Sequence, residues 1–373
     1  MDYFRRIIRP NVLSLSAYSA ESAPVPEGAA KISANENGFG ASPAVLAAIK
    51  SAAEEANGPL ASISRYPDSS CSALREALSR RHGLPPEWFL AGNGLDDVIN
   101  LLALAVIDSQ TEVIAPSMTF GVYASAVEMM GGRLVTIPMR EDFSIDTEAI
   151  ARAAGSRTAI IFLCNPNNPT GRATTRAELE TLLDCLDSLP AQPLLVVDQA
   201  YEDFADSDFP DATHYMDGRR YVAVLRTFSK IRGLAGLRVG YAAAHPDLLS
   251  YLYRVRQPYT VNALAQVAAI TAMEDESARA FEQAARAEIL RERGKLELFL
   301  RERNAAYIPS QANFVFAFYD KTPDELRALA SRLAEEKILT RTLIHRRAPS
   351  GLRFSIGTPE ENDRLMRALE ALC

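Results

Sequence analysis

Between residues 90 and 240 the chain alternates short apolar, β-rich runs with longer stretches of helical periodicity. The runs fall at 112–115, 133–137, 158–164, 194–198, 222–226 and 239–243, a rhythm that predicts βαβ units around a mostly parallel sheet. Some of them, Ala159-Ile160-Ile161-Phe162-Leu163 for instance, contain no polar position. A strand of that kind is buried on both faces, so helices must cover the sheet on each side and a three-layer α/β fold follows.

After His245 the pattern turns helical, with a long charged helix expected over about 277–304 and short strands at 313–318, 338–342 and 352–356 before a terminal helix. This predicts a smaller α+β domain. The first forty residues are irregular and rich in Ser, Ala and Pro, which suits a segment laid against the body of the protein. The expected division is an N-terminal segment over 1–40 packed with the small domain, a large domain over 41–250 and a small domain over 251–373. Neither an internal repeat nor a low-complexity linker interrupts it.

Composition narrows the class. Of 373 residues 48% are hydrophobic and 23% charged, enough to bury a full core and to divide into two domains. The formal net charge of -7 is spread over mixed-sign helices with no long basic run, which argues against nucleic acid or an anionic membrane as partner and makes any anion site local. Cys71, Cys164, Cys185 and Cys373 show no CxxC spacing, so neither a metal site nor a disulfide framework is expected, and reduced thiols in the cytoplasm fit. Arg9-Pro10 closes the basic N-terminal stretch before it could form a signal-peptide core, and no apolar run approaches membrane-spanning length, so a soluble cytoplasmic chain is expected.

In open α/β sheets ligands collect beyond the carboxyl ends of the strands, so the residues just after each apolar run are the informative ones. Lys230 leaves the run at 222–226 through Thr227-Phe228-Ser229 and enters a glycine-containing loop. A lysine there is either solvated or held beside a ligand; as a nucleophile it needs help to lose its proton at neutral pH, which a neighbouring cation such as Arg238 could supply. Asp198 ends the run at 194–198, with Tyr201 just beyond: a carboxylate able to pair with a cationic ring nitrogen, or a cap for the next turn. The loop Asn165-Pro166-Asn167-Asn168-Pro169-Thr170-Gly171 is stiffened by its prolines, so an asparagine amide can be aimed with little entropy lost.

Gly92-Asn93-Gly94-Leu95-Asp96-Asp97 leads into an amphipathic helix over 98–107 and offers free backbone amides to a phosphate, unless it is a plain turn capped by Asp96. Phe120 follows another strand, where an aromatic either stacks on a flat ring or packs in the core. Arg353, flanked by hydrophobes in Leu352-Arg353-Phe354, needs an anion: a structural carboxylate, or a substrate carboxylate or phosphate that its fork grips bidentately.

In type and order these segments resemble the fold-type I pyridoxal-phosphate (PLP) aminotransferases, and specifically the histidinol-phosphate aminotransferase family. The match runs nearly end to end, from Arg9-Pro10-Asn11-Val12, Asn35-Glu36-Asn37-Gly38 and Arg65-Tyr66-Pro67-Asp68, through the motifs above, to Arg256-Gln257-Pro258-Tyr259, Ala312-Asn313-Phe314 and Arg353 with Gly357-Thr358-Pro359-Glu360-Glu361-Asn362. The resemblance implies the PLP-dependent transferase fold, with Lys230 as the Schiff-base lysine and Asp198 keeping the pyridinium nitrogen protonated so that the ring is an electron sink. It further implies that Tyr201 and Asn168 contact the ring's phenolic oxygen and that Phe120 lies on the ring face. The phosphate would sit among Thr227, Ser229, Arg238 and the amides of Gly94, Leu95 and Asp96. Tyr66 would reach that phosphate in the neighbouring subunit, which implies a homodimer. Arg353 would grip the substrate anion, with Arg341, Asn35 and Asn313 in the same pocket. The implied reaction is ping-pong transfer of the amino group of L-histidinol phosphate to 2-oxoglutarate, giving imidazole-acetol phosphate and glutamate, with Lys230 as general base at Cα.

Three positions depart from the family pattern: Phe120 where Tyr is usual, Gln199 for Glu beside Asp198, and Gly38 for Pro. Stacking survives the first, which loses only a hydroxyl. The second is expected to remove a charge beside the cofactor aspartate, and the third to loosen a substrate-side loop. Because this fold changes substrate by small pocket edits, an aromatic or other amino-acid aminotransferase and a PLP decarboxylase of a phosphorylated amino acid are the alternative readings.

Overall fold

The computed structural model describes residues 4–13, 15, 25–54, 63–345 and 349–372, so Cys373 and parts of the N-terminal segment lie outside the described residues. In chain order the strands are β1 (Ala30–Lys31), β2 (Phe89–Gly92), β3 (Glu112–Pro116), β4 (Arg133–Ile137), β5 (Thr158–Cys164), β6 (Leu194–Asp198) and β7 (Val222–Thr227). They continue with β8 (Gly240–Ala243), β9 (Ala306–Ile308), β10 (Phe314–Phe318), β11 (Ile338–Leu339), β12 (Arg341–Leu343) and β13 (Gly351–Ser355).

Among the described residues the largest sheet has seven strands in the order β2-β8-β7-β6-β5-β3-β4. Its pairs are parallel except the two made by β8. Successive side chains of a strand face opposite ways. Ile160 and Phe162 of β5 accordingly join a core with Leu102 and Val127, from helices Leu95–Val106 and Val122–Met130, while Ile161 and Leu163 join another with Leu182 and Leu186 from helix Arg176–Asp187. This is the expected three-layer arrangement, and the six expected strands of this sheet are all present. β2 escapes the sequence pattern because Phe89-Leu90-Ala91-Gly92 is short and half made of weak strand formers.

The second sheet is antiparallel, ordered β12-β13-β10-β9. The single strand expected over 338–342 is two strands instead. β11 pairs in parallel with β1, Ala30 opposite Ile338, whereas Arg341 of β12 lies opposite Arg353 of β13. The chain thus changes sheets at Thr340, a break that a run of apolar and β-branched residues conceals. One consequence is that the N-terminal segment is hydrogen-bonded to the C-terminal part of the chain: Ile32 N donates to Leu339 O at 3.0 Å and Ser355 N to Ile32 O at 2.9 Å.

β13 carries Arg353, and its seating depends on Gly351. A Cβ at Gly351 would lie 2.1 Å from Ala317 O and 2.8 Å from Phe318 Cα, both backbone atoms of the neighbouring β10. Gly351→Ala is expected to displace the strand and cost about 1–3 kcal/mol. A lowered thermal unfolding midpoint would confirm this; an unchanged midpoint would show that β13 can shift freely.

Candidate active site

The carboxyl ends of β5, β6 and β7, the loop after β3 and the start of helix Leu95–Val106 converge on a cavity of about 610 Å³. Asp198 closes β6 and is buried. Its Oδ2 accepts the hydroxyl of Tyr123 at 2.6 Å and its Oδ1 the amide of Ala200 at 3.0 Å. Burial pushes the carboxyl up to about 6, opposed by those two hydrogen bonds.

Lys230 is reached from β7 through a turn in which Thr227 Oγ1 accepts the Ser229 amide at 3.0 Å. Its Nζ donates to Ala34 O at 3.3 Å and lies 5.6 Å from the centre of the Tyr201 ring. Desolvation, then the charge of Arg353, lower the amine to about 8. Strand-end placement and a neighbouring cation therefore make Lys230 a usable nucleophile, with Arg353 outweighing the expected Arg238.

The Tyr201 hydroxyl accepts Nδ2 of Asn35 at 3.0 Å and Nδ2 of Asn168 at 3.1 Å. Burial pushes the phenol well above its ordinary value, so it stays protonated. An oxygen that accepts from two amides keeps its own hydrogen for a third partner. Asn168 Oδ1 in turn accepts Nη1 of Arg353 at 2.6 Å, and Arg353 Nη2 donates to Ser33 O at 2.7 Å. Both acceptors are neutral, so these bonds orient the guanidinium without cancelling its charge. Arg341 lies across from Arg353 in the β12–β13 register and lines the same cavity. Asn35 lines it too, at a φ of 55°, fixed from behind by Asn313 Nδ2 on its carbonyl at 3.0 Å and by the Ser355 hydroxyl on its Oδ1 at 2.9 Å. Asn313 itself is fully buried behind Asn35 and is not among the lining residues.

At the other end Leu95, Asp96, Thr227, Ser229 and Arg238 line the cavity. The Gly94 amide is already given to Gly92 O at 2.8 Å, so the helix-start amides that remain nearest are those of Leu95 and Asp96. Gly94 has a φ of 81°, and a Cβ there would come within 2.6 Å of Arg238 Nη2, which is the close approach that places this cation over the turn. Phe120 forms part of the wall, edge-on to Tyr123 with ring centres 5.6 Å apart. Tyr66 is not brought here: it is 82% exposed and stacks on Tyr259 at 4.5 Å. The residues present fit PLP, with anion donors at one end, a buried carboxylate for the ring nitrogen, a phenol hydrogen for the ring oxygen and an amine lowered toward neutrality.

Two of the departures act differently from expectation. Gln199 faces away from the cavity: its Nε2 donates to Pro210 O at 2.8 Å, and its Oε1 accepts Ala212 N at 3.2 Å and Arg226 Nη2 at 3.0 Å. A glutamate could not supply the donor for Pro210 O, and Arg226 finds its charge partners in Glu202 and Asp211, at 2.5 and 2.6 Å. At Gly38, where a loosened loop was expected, the structure shows crowding: a Cβ there would meet Thr358 N at 3.1 Å and Glu361 Oε2 at 3.2 Å, so a side chain has little room. Tyr123 was not singled out by the sequence pattern at all; the available signal is an aromatic one helical turn beyond Phe120.

The family model for class I and II aminotransferases matches residues 29–369. The chain belongs to this aminotransferase family. It is 37% identical to a histidinol-phosphate aminotransferase of Anaeromyxobacter sp., covering 97% of this chain and 98% of the relative. An aromatic amino acid aminotransferase of Rhodococcus erythropolis is also 37% identical, over 96% and 94% of the two chains. Among solved structures, the histidinol-phosphate aminotransferase of Sinorhizobium meliloti in complex with pyridoxal-5'-phosphate superposes with a TM-score of 0.87 at 28% identity, covering 98% of this chain and 97% of that one.

In this aminotransferase the coupling between Arg353 and Lys230 has a measurable sign. A cation beside an ammonium disfavours the charged form, so Arg353→Leu should raise the Lys230 pKa. Labelling of Lys230 by an amine reagent in the cofactor-free protein should show a midpoint near pH 8, moving upward in the variant. A midpoint that does not move would show that Arg353 plays no part in setting it.

Proposed function

We propose that this aminotransferase uses PLP to move the amino group of L-histidinol phosphate to 2-oxoglutarate. The observation that carries the substrate assignment is the pair of arginines, 353 and 341, opposite each other in the β12–β13 register and lining the same cavity as Leu95 and Asp96 at the helix start. Histidinol phosphate carries a phosphate ester where an amino acid carries its α-carboxylate. A guanidinium fork accepts either anion bidentately, so Arg353 can serve both halves of a ping-pong cycle, and Arg341 adds a second charge suited to a phosphate dianion.

Bound PLP supplies the electron sink for charge developing at the donor Cα. Lys230 Nζ takes the Cα proton, a role its lowered pKa suits near neutrality. Asp198 holds the proton on the ring nitrogen, and the Tyr201 hydroxyl donates to the ring oxygen with Asn168 and Asn35 fixing its direction. Phe120 walls the ring. Arg238, Thr227, Ser229 and the amides of Leu95 and Asp96 hold the phosphate. A homodimer belongs to this reading, supported by the exposed Tyr66–Tyr259 stack, which leaves Tyr66 available to a second subunit. A cytoplasmic location does too, supported by the free cysteines Cys71, Cys164 and Cys185.

The Rhodococcus relative favours a second reading, an aromatic amino-acid aminotransferase. Purified protein loaded with PLP should show a visible absorption band that borohydride bleaches and that Lys230→Ala lacks. A donor panel of histidinol phosphate, phenylalanine, tyrosine and phosphothreonine, with 2-oxoglutarate as acceptor, decides the substrate. Turnover should be best with histidinol phosphate, and Arg353→Met should lower its kcat/KM by about 10- to 100-fold, the worth of a charged hydrogen-bonded pair. No turnover with histidinol phosphate beside good turnover with an aromatic acid would replace the substrate but keep the class.

A further inference from the structure

We infer that Tyr123 is a positioning residue for the cofactor: its hydroxyl, donated to Asp198 Oδ2 at 2.6 Å, holds that carboxylate charged and fixed for the ring nitrogen of bound PLP. The inference rests on the PLP reading above. Tyr123 is fully buried, and its ring lies parallel to that of Phe162 with centres 4.5 Å apart and 1° between planes. Phe120 meets it edge-on, at 85°. This packing keeps the phenol away from water, and the hydrogen bond to Asp198 is what directs its hydroxyl.

The groups that face Asp198 are Tyr123 from the helix Val122–Met130, the Ala200 amide and the protonated phenol of Tyr201 from the chain beyond β6, Asp96 from the helix Leu95–Val106 and Lys230 from the loop after β7. Cys164, at the end of β5, interacts with both Tyr123 and Asp198 and is itself pushed well up by burial, so it stays a neutral thiol. Burial and Asp96 both favour a neutral carboxylic acid. Lys230 opposes them, but in the working enzyme its nitrogen is engaged with cofactor and substrate. What remains constant on the side of the charged form is the phenol and the Ala200 amide. The phenol cannot lose its own proton, because burial and the adjacent carboxylate hold it well above its ordinary range. Tyr123 is therefore a permanent donor, and the carboxylate keeps further lone pairs for the cofactor. Tyr123 itself does not line the cavity, so its influence passes through Asp198.

Tyr123→Phe removes the hydroxyl and preserves the stack on Phe162, whereas Phe162→Leu removes the stack and preserves the hydroxyl. The dissociation constant for added PLP is measured against pH on cofactor-stripped protein for wild type and both variants. Loss of the donor raises the Asp198 pKa, so the neutral acid persists to higher pH and affinity is lost earlier on acidification. Tyr123→Phe should weaken PLP binding by about tenfold at neutral pH and move the acid midpoint up by about one pH unit, with a reduced kcat and a donor KM changed by less than about twofold. Phe162→Leu should lower the melting temperature and leave the acid midpoint in place. Wild-type affinity and pH dependence in Tyr123→Phe would overturn the inference, as would an equal midpoint shift in Phe162→Leu. A wild-type protein that takes up no PLP would instead sink the functional reading, a result distinguishable from either of these.

Discussion

A buried carboxylate at the end of a central strand is the constraint around which the rest of the site is arranged. Asp198 lies between Cys164 of β5 and Leu225 of β7 in the sheet register, away from water, and an isolated charge there would take up a proton. The fold answers with a phenol and an amide and leaves the remaining capacity to a ligand. The neighbouring strands then decide what that ligand meets. β5 runs on into the Asn168 loop, and β7 runs on into Lys230, so carboxylate, asparagine and amine are set side by side by parallel pairing alone. A parallel sheet buried on both faces can do this because its strand ends are all at one rim.

The opposite wall is built from distant parts of the chain. Ser33 O fixes Arg353, Asn35 fixes Tyr201, and Asn313 and Ser355 fix Asn35. The bonds form a closed web in which the segment at 33–35 is threaded between the two sheets. Each member is buried and polar, so losing one partner leaves the others unsatisfied. The residues proposed for substrate and for cofactor are thereby joined, since Asn168 touches both Arg353 and Tyr201.

The legible part of the protein was what strand periodicity reaches. Residues at strand exits could be read because the rule about strand ends turns sequence position into spatial position, and Lys230, Asp198 and Asn168 all lie where it points; Arg353, in the middle of β13, was legible instead as a charge flanked by hydrophobes. Tyr123 escaped because a tyrosine early in an apolar helix looks like core, and its stack on Phe162 shows that it is also core. Gln199 was misjudged because adjacency in sequence to Asp198 suggested adjacency in space, whereas successive strand-end side chains point to opposite faces. The break at Thr340 was hidden for a different reason. Two strands joined by one β-favouring residue look continuous, and only the partners, β1 for one and β13 for the other, reveal the change of sheet. Tyr66 is a surface residue here, its exposed ring stacked on Tyr259 and away from the cavity.

The electrostatics of the site explain why an acidic protein can serve anionic ligands. Net charge is -7, yet Lys230, Arg238, Arg341 and Arg353 all line one cavity. Repulsion among them is useful. Arg353 helps hold the Lys230 amine at about 8, so part of it is already unprotonated near neutrality and able to react. In the proposed function, a substrate anion seated on Arg353 would partly cancel that repulsion, and the freed amine would become a stronger base at the stage when a proton must be taken from Cα. One arginine would then do two things through the same charge: select the anion, and by being neutralised adjust the lysine to the step that follows. A neutral hydrogen-bond donor at residue 353 could bind a carboxylate, but it would leave the lysine more fully protonated before the cofactor is bound and unresponsive to a substrate anion afterwards.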